Sequence, residues 1–154
     1  MKRAALIALV VIAGTLAWRA GRRGAPDAKL LFDRFWIDHA ARDGREEFQA
    51  LFVDGEHPFG NFATRTWWTG KWELFHYHLS AREDGTLDII FPRTNERERV
   101  RYRARTCDEQ GFDFCLEIEG ASRGVRRYFS KKGWEVKNAD LDAVADRLFG
   151  SAVQ

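Results

Sequence analysis

Two histidines two residues apart, His76 and His78, form the sharpest chemical pattern in this 154-residue sequence. On a β-strand, residues at this spacing project from one face, so both imidazoles could bind the same zinc ion if a third ligand approached. His57, in a loop, is the first candidate for that ligand, and His39 and Glu73 are alternatives. Histidines on an aromatic strand more often lie at the surface or form hydrogen bonds in the core. The zinc site is therefore the lesser hypothesis for this pair.

Cys107 and Cys115 are the only two cysteines in the chain. Their spacing differs from the Cys-x-x-Cys motif of thiol oxidoreductases, so a structural disulfide is the default interpretation. A pair of cysteines that can bond to each other favours an oxidising compartment outside the cytoplasm.

A basic stripe runs through the residues before the first cysteine, where an arginine occupies every second position. The five arginines are Arg97, Arg99, Arg101, Arg103 and Arg105. This period predicts a β-strand with one wet face and one buried face. Turn residues follow at 108–111, and a second alternating run occupies 112–119, so the two runs predict a β-hairpin.

The register of this hairpin follows if Cys107 lies opposite Cys115. Arg105 then falls opposite Glu117, and Arg103 falls opposite Glu119. Opposite charges across a hairpin favour such a register. The arginine stripe is therefore predicted to be a solvated face that acidic neighbours balance, rather than a surface for anions or nucleic acid.

Aromatic residues are dense in the middle of the chain. Trp67, Trp72, Phe75 and Tyr77 lie close together in the sequence and are the candidate lining of a cavity. In a small barrel such side chains either fill the interior or surround a small hydrophobic ligand. Filled interiors are the more frequent outcome.

Catalytic motifs are missing from the sequence, which has no Gly-x-Ser-x-Gly, no phosphate-binding loop and no dinucleotide-binding glycine pattern. The expectation is a protein that is not an enzyme and needs no cofactor. A second basic cluster could touch anionic lipid headgroups, although a solvated face is the simpler interpretation. Its members are Arg123, Arg126, Arg127, Lys131 and Lys132.

Residues 1–19 are predicted to be a signal anchor or a signal peptide. An apolar run from Ala4 to Trp18 follows Lys2 and Arg3. As a helix it would span ~23 Å, short of the ~30 Å hydrocarbon core, although basic flanking residues can extend that reach. An uncleaved anchor is favoured, and cleavage after Ala17 stays open. Residues 20–29 are predicted to be a linker. With residues 1–19 as an anchor or a signal peptide, the domain is expected in the cell envelope, either anchored in the inner membrane and facing the periplasm or exported.

Charge separates this N-terminal region from the rest of the chain. The whole sequence carries a formal charge of +2, but residues 1–26 hold five basic and no acidic residues. The remaining 20 basic and 23 acidic residues give residues 27–154 a charge of −3. A mildly acidic domain argues against general nucleic-acid binding.

About eight short strands joined by short turns are predicted between residues 30 and 136. With no helix between them to make parallel crossovers, they predict an antiparallel meander, either a barrel or a half-barrel, with a sandwich as the alternative. The predicted strand regions are 30–39, 46–53, 59–69, 72–81, 86–91, 97–107, 112–119, 125–129 and 134–136. A short C-terminal amphipathic helix, capped by Asn138 and carrying Leu141, Val144 and Leu148 on one face, would complete a single domain at 30–154.

Two resemblances accompany this reading. The meander, with Gly70-Lys71-Trp72 entering a strand, resembles the lipocalin and calycin group, although in lipocalins the Gly-x-Trp signal marks the first strand. The chain also resembles uncharacterised exported bacterial proteins that share two segments, Cys115-Leu-Glu117 with its upstream Cys107, and the run from Arg127 to Trp134. The first resemblance implies a ligand-carrying barrel, and the second implies export without an activity.

The sequence thus predicts a membrane-tethered or exported, non-enzymatic, barrel-like domain that binds a small hydrophobic ligand or an envelope partner. One alternative is a structural or interaction module with a filled core. The other is a zinc-dependent enzyme that uses His76 and His78.

Overall fold

The computed structural model describes residues 25–66 and 70–136, in which eight antiparallel strands form a closed barrel. The described residues begin with a short 3-10 helix, Ala28–Leu31, and the strands follow in order. They are β1 (Phe35–Ile37), β2 (Phe48–Val53), β3 (Phe59–Arg65), β4 (Gly70–Leu79), β5 (Thr86–Phe91), β6 (Glu96–Glu109), β7 (Phe112–Glu119) and β8 (Arg127–Ser130).

Each strand pairs with its neighbours in sequence, and a single pair between Ile37 of β1 and Phe129 of β8 closes the ring. The predicted antiparallel meander is confirmed, and it is a closed barrel rather than a half-barrel or a sandwich. The predicted N-terminal segment 1–19 and the predicted C-terminal helix lie outside the described residues. Within the described ranges, no helix has the length and hydropathy that a bilayer crossing requires.

The barrel interior is packed with apolar side chains, because alternate residues of every strand point inward. Phe62, Phe75 and Phe91 form an aromatic cluster, with ring centroids 5.1–6.4 Å apart. Other inward residues are almost completely buried, among them Trp36, Leu51, Ile89, Val100, Leu116 and Tyr128. The section of the barrel at this level is therefore filled.

One end of the barrel, which we call the capped end, is closed by the 3-10 helix. Asp27 caps this helix by accepting a hydrogen bond from the Lys29 amide, and the Asp27 amide donates to the Ala104 carbonyl of β6 at 2.8 Å. Leu31 is buried beneath, and its carbonyl accepts a hydrogen bond from the Trp36 indole at 3.0 Å. The first described residues therefore enter the barrel at this end.

The opposite end, which we call the mouth, is formed by four connections between strands. They are residues 38–47, 66–69, 92–95 and 120–126, of which 67–69 are not described. Because the strands alternate in direction, the first residues of β2, β4 and β6 and the last residues of β3, β5 and β7 meet here.

The register between β6 and β7 corrects the prediction by two residues. Arg103 pairs with Glu117 and Arg101 pairs with Glu119, while Cys115 lies opposite Arg105. A β-bulge between Thr106 and Glu109 adds one residue to β6, so that Cys107 reaches Cys115 diagonally. The turn is also tighter than expected, because Gln110 and Gly111 alone carry the positive φ values, 54° and 78°, that a two-residue hairpin requires.

The disulfide between Cys107 and Cys115 is confirmed, with the two Cα atoms 5.7 Å apart. It lies on the outer face, as the parity of the arginines predicted, but that face is not wet there. Both sulfur-bearing residues are buried in an outer cluster with Phe112 and Phe129. This outer cluster also includes Phe35, Ile37, Phe48, Ala50 and Ala63. β1 and β2 are therefore apolar on both faces, which explains why their sequences show no clean alternation.

The strand limits differ from prediction mainly at the two ends of the β-region. The strand expected at 30–39 is divided, because Asp27 and the Trp36–Leu31 hydrogen bond stabilise a helical turn before β1. The strand expected at 134–136 is a single bridge between Arg34 and Glu135. β5 and β7 have the predicted limits.

Candidate binding site at the barrel mouth

Arg123, in the β7–β8 connection, holds the centre of the mouth. Its guanidinium lies over the Phe91 ring at 3.9 Å from the centroid. It forms ion pairs with Glu73 of β4 at 3.2 Å, with Glu98 of β6 at 2.9 Å, and with Glu96. One side chain thus joins two strands and a loop across the open end of the barrel.

The 120–126 loop is fixed over the mouth by further contacts. The Ser122 amide and hydroxyl both donate to Glu98, and the Val125 amide donates to the buried Tyr128 hydroxyl at 2.9 Å. Gly124 has a φ of 73°, and an added Cβ would lie 2.0 Å from that hydroxyl and 2.9 Å from the Phe62 ring. Glycine is required here because the backbone passes this close to the core.

Charge pairing shifts the ionisation of these groups. Hydrogen bonds from Arg123, and then from Thr94, lower the pKa of Glu96. The same Glu96 contact, followed by that with Glu73, raises the pKa of Arg123 well above its usual range. Both groups are therefore charged throughout the physiological range.

Beside Arg123, the mouth contains an open recess of about 460 Å³. Phe62 forms its aromatic floor, and half-exposed Trp72 lines it only at the rim. The remaining lining comes from Gln49, Ala63, Thr64, Lys71, Glu73, Arg93, Arg123 and Gly124. Such a volume lies within the range of small-molecule sites, and a mixture of aromatic and polar groups is typical of them.

The polar groups of the recess differ in how they are engaged. The Thr64 hydroxyl donates to the Gln49 side-chain oxygen at 2.8 Å, which leaves the Gln49 amide hydrogens to donate elsewhere. Glu73 is paired with Arg123. Lys71 and Arg93 are exposed, and within 25–66 and 70–136 neither has a carboxylate partner.

A second recess, of about 590 Å³, lies at the capped end between residues 26–29 and β6. Its charged lining is balanced, since it contains three carboxylates and three cations. Those residues are Asp27, Glu83 and Asp84, with Lys29, Arg101 and Arg103. The mouth is the better candidate because the barrel strands themselves fix its walls and its floor is aromatic.

Of the four aromatic residues predicted to line a cavity, the three that the structure describes do not line one together. Phe75 and Tyr77 point into the filled interior, where Phe75 is 1% exposed and the Tyr77 hydroxyl donates to the Asp54 carbonyl. Trp72 is on the outer parity of β4 and contributes only to the rim of the mouth. Trp67 lies outside the described residues. An inward cavity lined by this set is therefore replaced by a recess at the barrel end.

The histidines are placed on the surface. His76 and His78 are both exposed on the outer face of β4, and His57 is exposed beside Asp54. His39 lies in the β1–β2 connection, near Asp38 and Glu46. Among the described residues, no group of three or more His, Cys, Asp or Glu side chains could hold a metal ion. The third ligand that the zinc hypothesis needs is not supplied by this part of the chain.

The arginine stripe is less neutralised than the sequence indicated. Arg105 pairs with Glu117 at 3.4 Å and Arg99 pairs with Asp88 at 2.8 Å. Arg97, Arg101 and Arg103 form no ion pair with a described carboxylate. The glutamates opposite Arg101 and Arg103 are bound by other arginines, Glu119 by Arg126 and Glu117 by Arg105.

The second basic cluster shows the opposite outcome. Arg123, Arg126 and Arg127 each bind at least one glutamate, and Lys131 lies over the Phe112 ring at 5.3 Å. The arginines of this cluster are thus paired with carboxylates of the same domain, and all of the cluster except Arg123 stays exposed.

Sequence reasoning missed the site at Arg123, because its partners are distant in the chain. Glu73 is 50 positions away, and Glu96 and Glu98 are more than 24 away. The sequence offered one indication, the segment Gly120–Gly124, in which Arg123 lies between two glycines. Such a segment predicts a tight loop but does not indicate which carboxylates the arginine will bind.

Comparison with known proteins adds no family. No family model matches this chain, and no curated protein or solved structure matches it either.

Proposed function

We propose that this protein is a non-enzymatic binding barrel whose ligand site is the recess at the mouth. The observation that carries the proposal is the combination, in about 460 Å³, of an aromatic floor at Phe62, Trp72 at the rim and polar groups able to bind a ligand. The ligand is a small amphipathic molecule, because apolar contact is offered below and hydrogen bonding at the rim.

The rigid surroundings support this assignment. The recess lies above the packed Phe62, Phe75 and Phe91 cluster, and Arg123 fixes its side through three glutamates. Sites with preformed walls bind more tightly than flexible ones, because less conformational entropy is lost on binding.

The proposed location is the cell envelope, with the N-terminal segment as anchor or export signal. The disulfide supports an oxidising compartment. The described chain enters at the capped end, where Asp27 binds β6. A tether at that end leaves the mouth on the far side of the barrel, open to the aqueous compartment.

Native mass spectrometry of the full chain, released from detergent micelles, tests the ligand site. We expect a small-molecule adduct on the wild type that is lost in Thr64→Phe, because the larger ring fills the recess from its inward-facing wall. The matched control is Ser80→Phe in the β4–β5 turn at the capped end, which should keep the adduct. An adduct that survives Thr64→Phe would place the ligand elsewhere.

A second candidate function, partner binding through β4, is favoured by one observation. Trp72, Leu74 and Leu79 are 50%, 59% and 61% exposed. Exposed large apolar residues on one strand are typical of protein contact surfaces. A photo-crosslinking residue at Leu74 should then capture one defined protein in the native host, and the same residue at Arg82 should not.

A further inference from the structure

Of the charged groups in the recess, only the cations have capacity left for a ligand. Lys71, Arg93 and Arg123 line it with a single carboxylate, Glu73. Glu73 is bound to Arg123, which is itself engaged by Glu96 and Glu98 outside the lining. Lys71 and Arg93 are therefore the two lining cations that pair with no carboxylate among the described residues.

We propose that the mouth selects organic anions, namely a carboxylate, sulfonate or phosphate attached to a flat apolar body. This inference rests on the proposed function and specifies the ligand of the same site. The anionic group binds Lys71 and Arg93, with the Gln49 amide as a neutral donor, and the apolar body lies over Phe62 with Trp72 at the rim.

The positions of the polar and cationic lining residues support this preference for an anion. Inward-facing Gln49, Thr64 and Lys71 come from β2, β3 and β4, whose paired ends bring them to one side of the mouth. Thr64 and Lys71 are directly paired residues. Arg93 lies in the β5–β6 connection and Arg123 in the β7–β8 connection, so cations reach the recess from separate elements.

Charge at a half-open site favours an anion without excluding other ligands. Lys71 and Arg93 are solvated, so each contributes a modest factor in affinity that salt reduces. We expect the two together to favour an anion over a neutral isostere by about fivefold to tenfold, because each exposed ion pair contributes up to about 1 kcal/mol, a factor of about five.

Three probes with the same body test the sign of the charge. Naphthalene-2-carboxylate, naphthalene-2-carboxamide and 2-(aminomethyl)naphthalene are titrated into the full chain in detergent micelles by calorimetry, with empty micelles as the blank. We expect the carboxylate to bind about fivefold to tenfold more tightly than the carboxamide, and the ammonium to bind most weakly. Added sodium chloride should remove most of the difference.

Variants assign the effect to residues. The double variant Lys71→Gln with Arg93→Gln should reduce carboxylate affinity to that of the carboxamide measured on the same variant. The matched control, Arg82→Gln with Lys132→Gln, removes two exposed cations away from the mouth and should change neither. Both pairs lie at exposed positions, so folding should be unaffected.

The outcomes separate the two proposals. If no probe binds above the micelle blank, the recess is not a ligand site for such bodies and both proposals fail. If the carboxamide or ammonium binds as tightly as the carboxylate, and Thr64→Phe abolishes that binding, the site stands and its anion selectivity is wrong. A carboxylate preference that persists in the Lys71→Gln, Arg93→Gln variant also overturns the inference.

Discussion

The two ends of this barrel are closed by different means. At the capped end, a 3-10 helix contributes Leu31 to the core and positions Phe32 against Tyr77 and Tyr102, with ring centroids 5.8 and 6.3 Å apart. At the mouth, one arginine and three glutamates hold a glycine-containing loop over the core. Apolar packing gives a stable, water-free closure, whereas ion pairs near solvent leave room for a polar recess.

This difference indicates a division of roles. Burial of large apolar side chains dominates folding stability, so the capped end should carry most of it. Charged groups at a solvated rim add little stability but determine which ligands are attracted. Three predictions test this difference between the two ends, from the largest expected change in stability to the smallest.

Removing Trp36 should be the most damaging single change. This residue is completely buried, and its indole binds the Leu31 carbonyl that holds the cap. We expect Trp36→Ala to lower the free energy of unfolding by about 3–5 kcal/mol, through lost burial and the cavity left behind. Urea unfolding of the full chain measures this loss. Trp72→Ala, at the exposed mouth rim, is the control and should cost less than about 0.5 kcal/mol; comparable losses would mean that stability is not concentrated at the capped end.

The pKa values of two buried tyrosines report how well water is excluded beneath each end of the barrel. Burial raises the pKa of Tyr77, under the cap, and of Tyr128, under the 120–126 loop, each to about 12. The folded state favours the neutral phenol, so this stabilisation is complete below pH 10 and is lost as pH rises from 10 to about 12. For Tyr128, the more deeply buried phenol, this contribution is about 2–3 kcal/mol below that window.

Ultraviolet absorbance of tyrosinate checks this titration, with Tyr77→Phe and Tyr128→Phe to identify the residues. Both phenols should ionise together with unfolding. If Tyr128 titrated near pH 10 in the folded protein, water would reach beneath the loop, and the mouth would be far more open than the capped end.

Arg123→Gln should have the smallest effect of the three on stability at neutral pH. We expect a loss of about 1–2 kcal/mol, because hydrogen bonds to charged groups are removed and three glutamates are left to repel each other. Arg126→Gln, which removes one exposed pair with Glu119, is the control and should be nearly neutral.

Acid should reverse part of that loss. The depressed pKa of Glu96 means that its wild-type contribution is present above pH 4.5 and disappears as pH falls through the folded pKa. In Arg123→Gln, protonation relieves repulsion instead, so melting temperatures of the two proteins should converge below pH 4.5. A gap that stays constant with pH would show that Arg123 acts only by packing on Phe91.

Much of the fold was accessible from the sequence. The period-2 arginines of β6 and the turn residues after each strand predicted a meander, because side chains alternate in a strand and certain turns need particular residues. The limits of β5 were found for the same reason. The 3-10 helix was missed because it depends on a side-chain hydrogen bond from Trp36 to Leu31 and on the bond from Asp27 to Ala104 of β6, and no periodic pattern in the sequence marks either.

The candidate site was less accessible. The high density of aromatic residues in the sequence pointed to Phe75 and Tyr77 as cavity-lining residues. Such density does not show whether an aromatic side chain fills a core or lines a cavity, and both of these fill the core. Lys71 and Arg93 lie on opposite sides of β5 in sequence and carried no local signal. Only closure of the barrel brings both to the same recess.

The sequence by itself predicted an antiparallel meander of about eight strands, the pairing of the two cysteines and the outer position of the arginines. These depend on local periodicity and on short connections, which a few adjacent residues specify. Tertiary structure alone decided the β6–β7 bulge, the burial of the disulfide and the gathering of Glu73, Glu96 and Glu98 around Arg123. Those features depend on which side chains from strands far apart in the sequence become neighbours when the barrel closes. Local residue patterns carry no information about those neighbours.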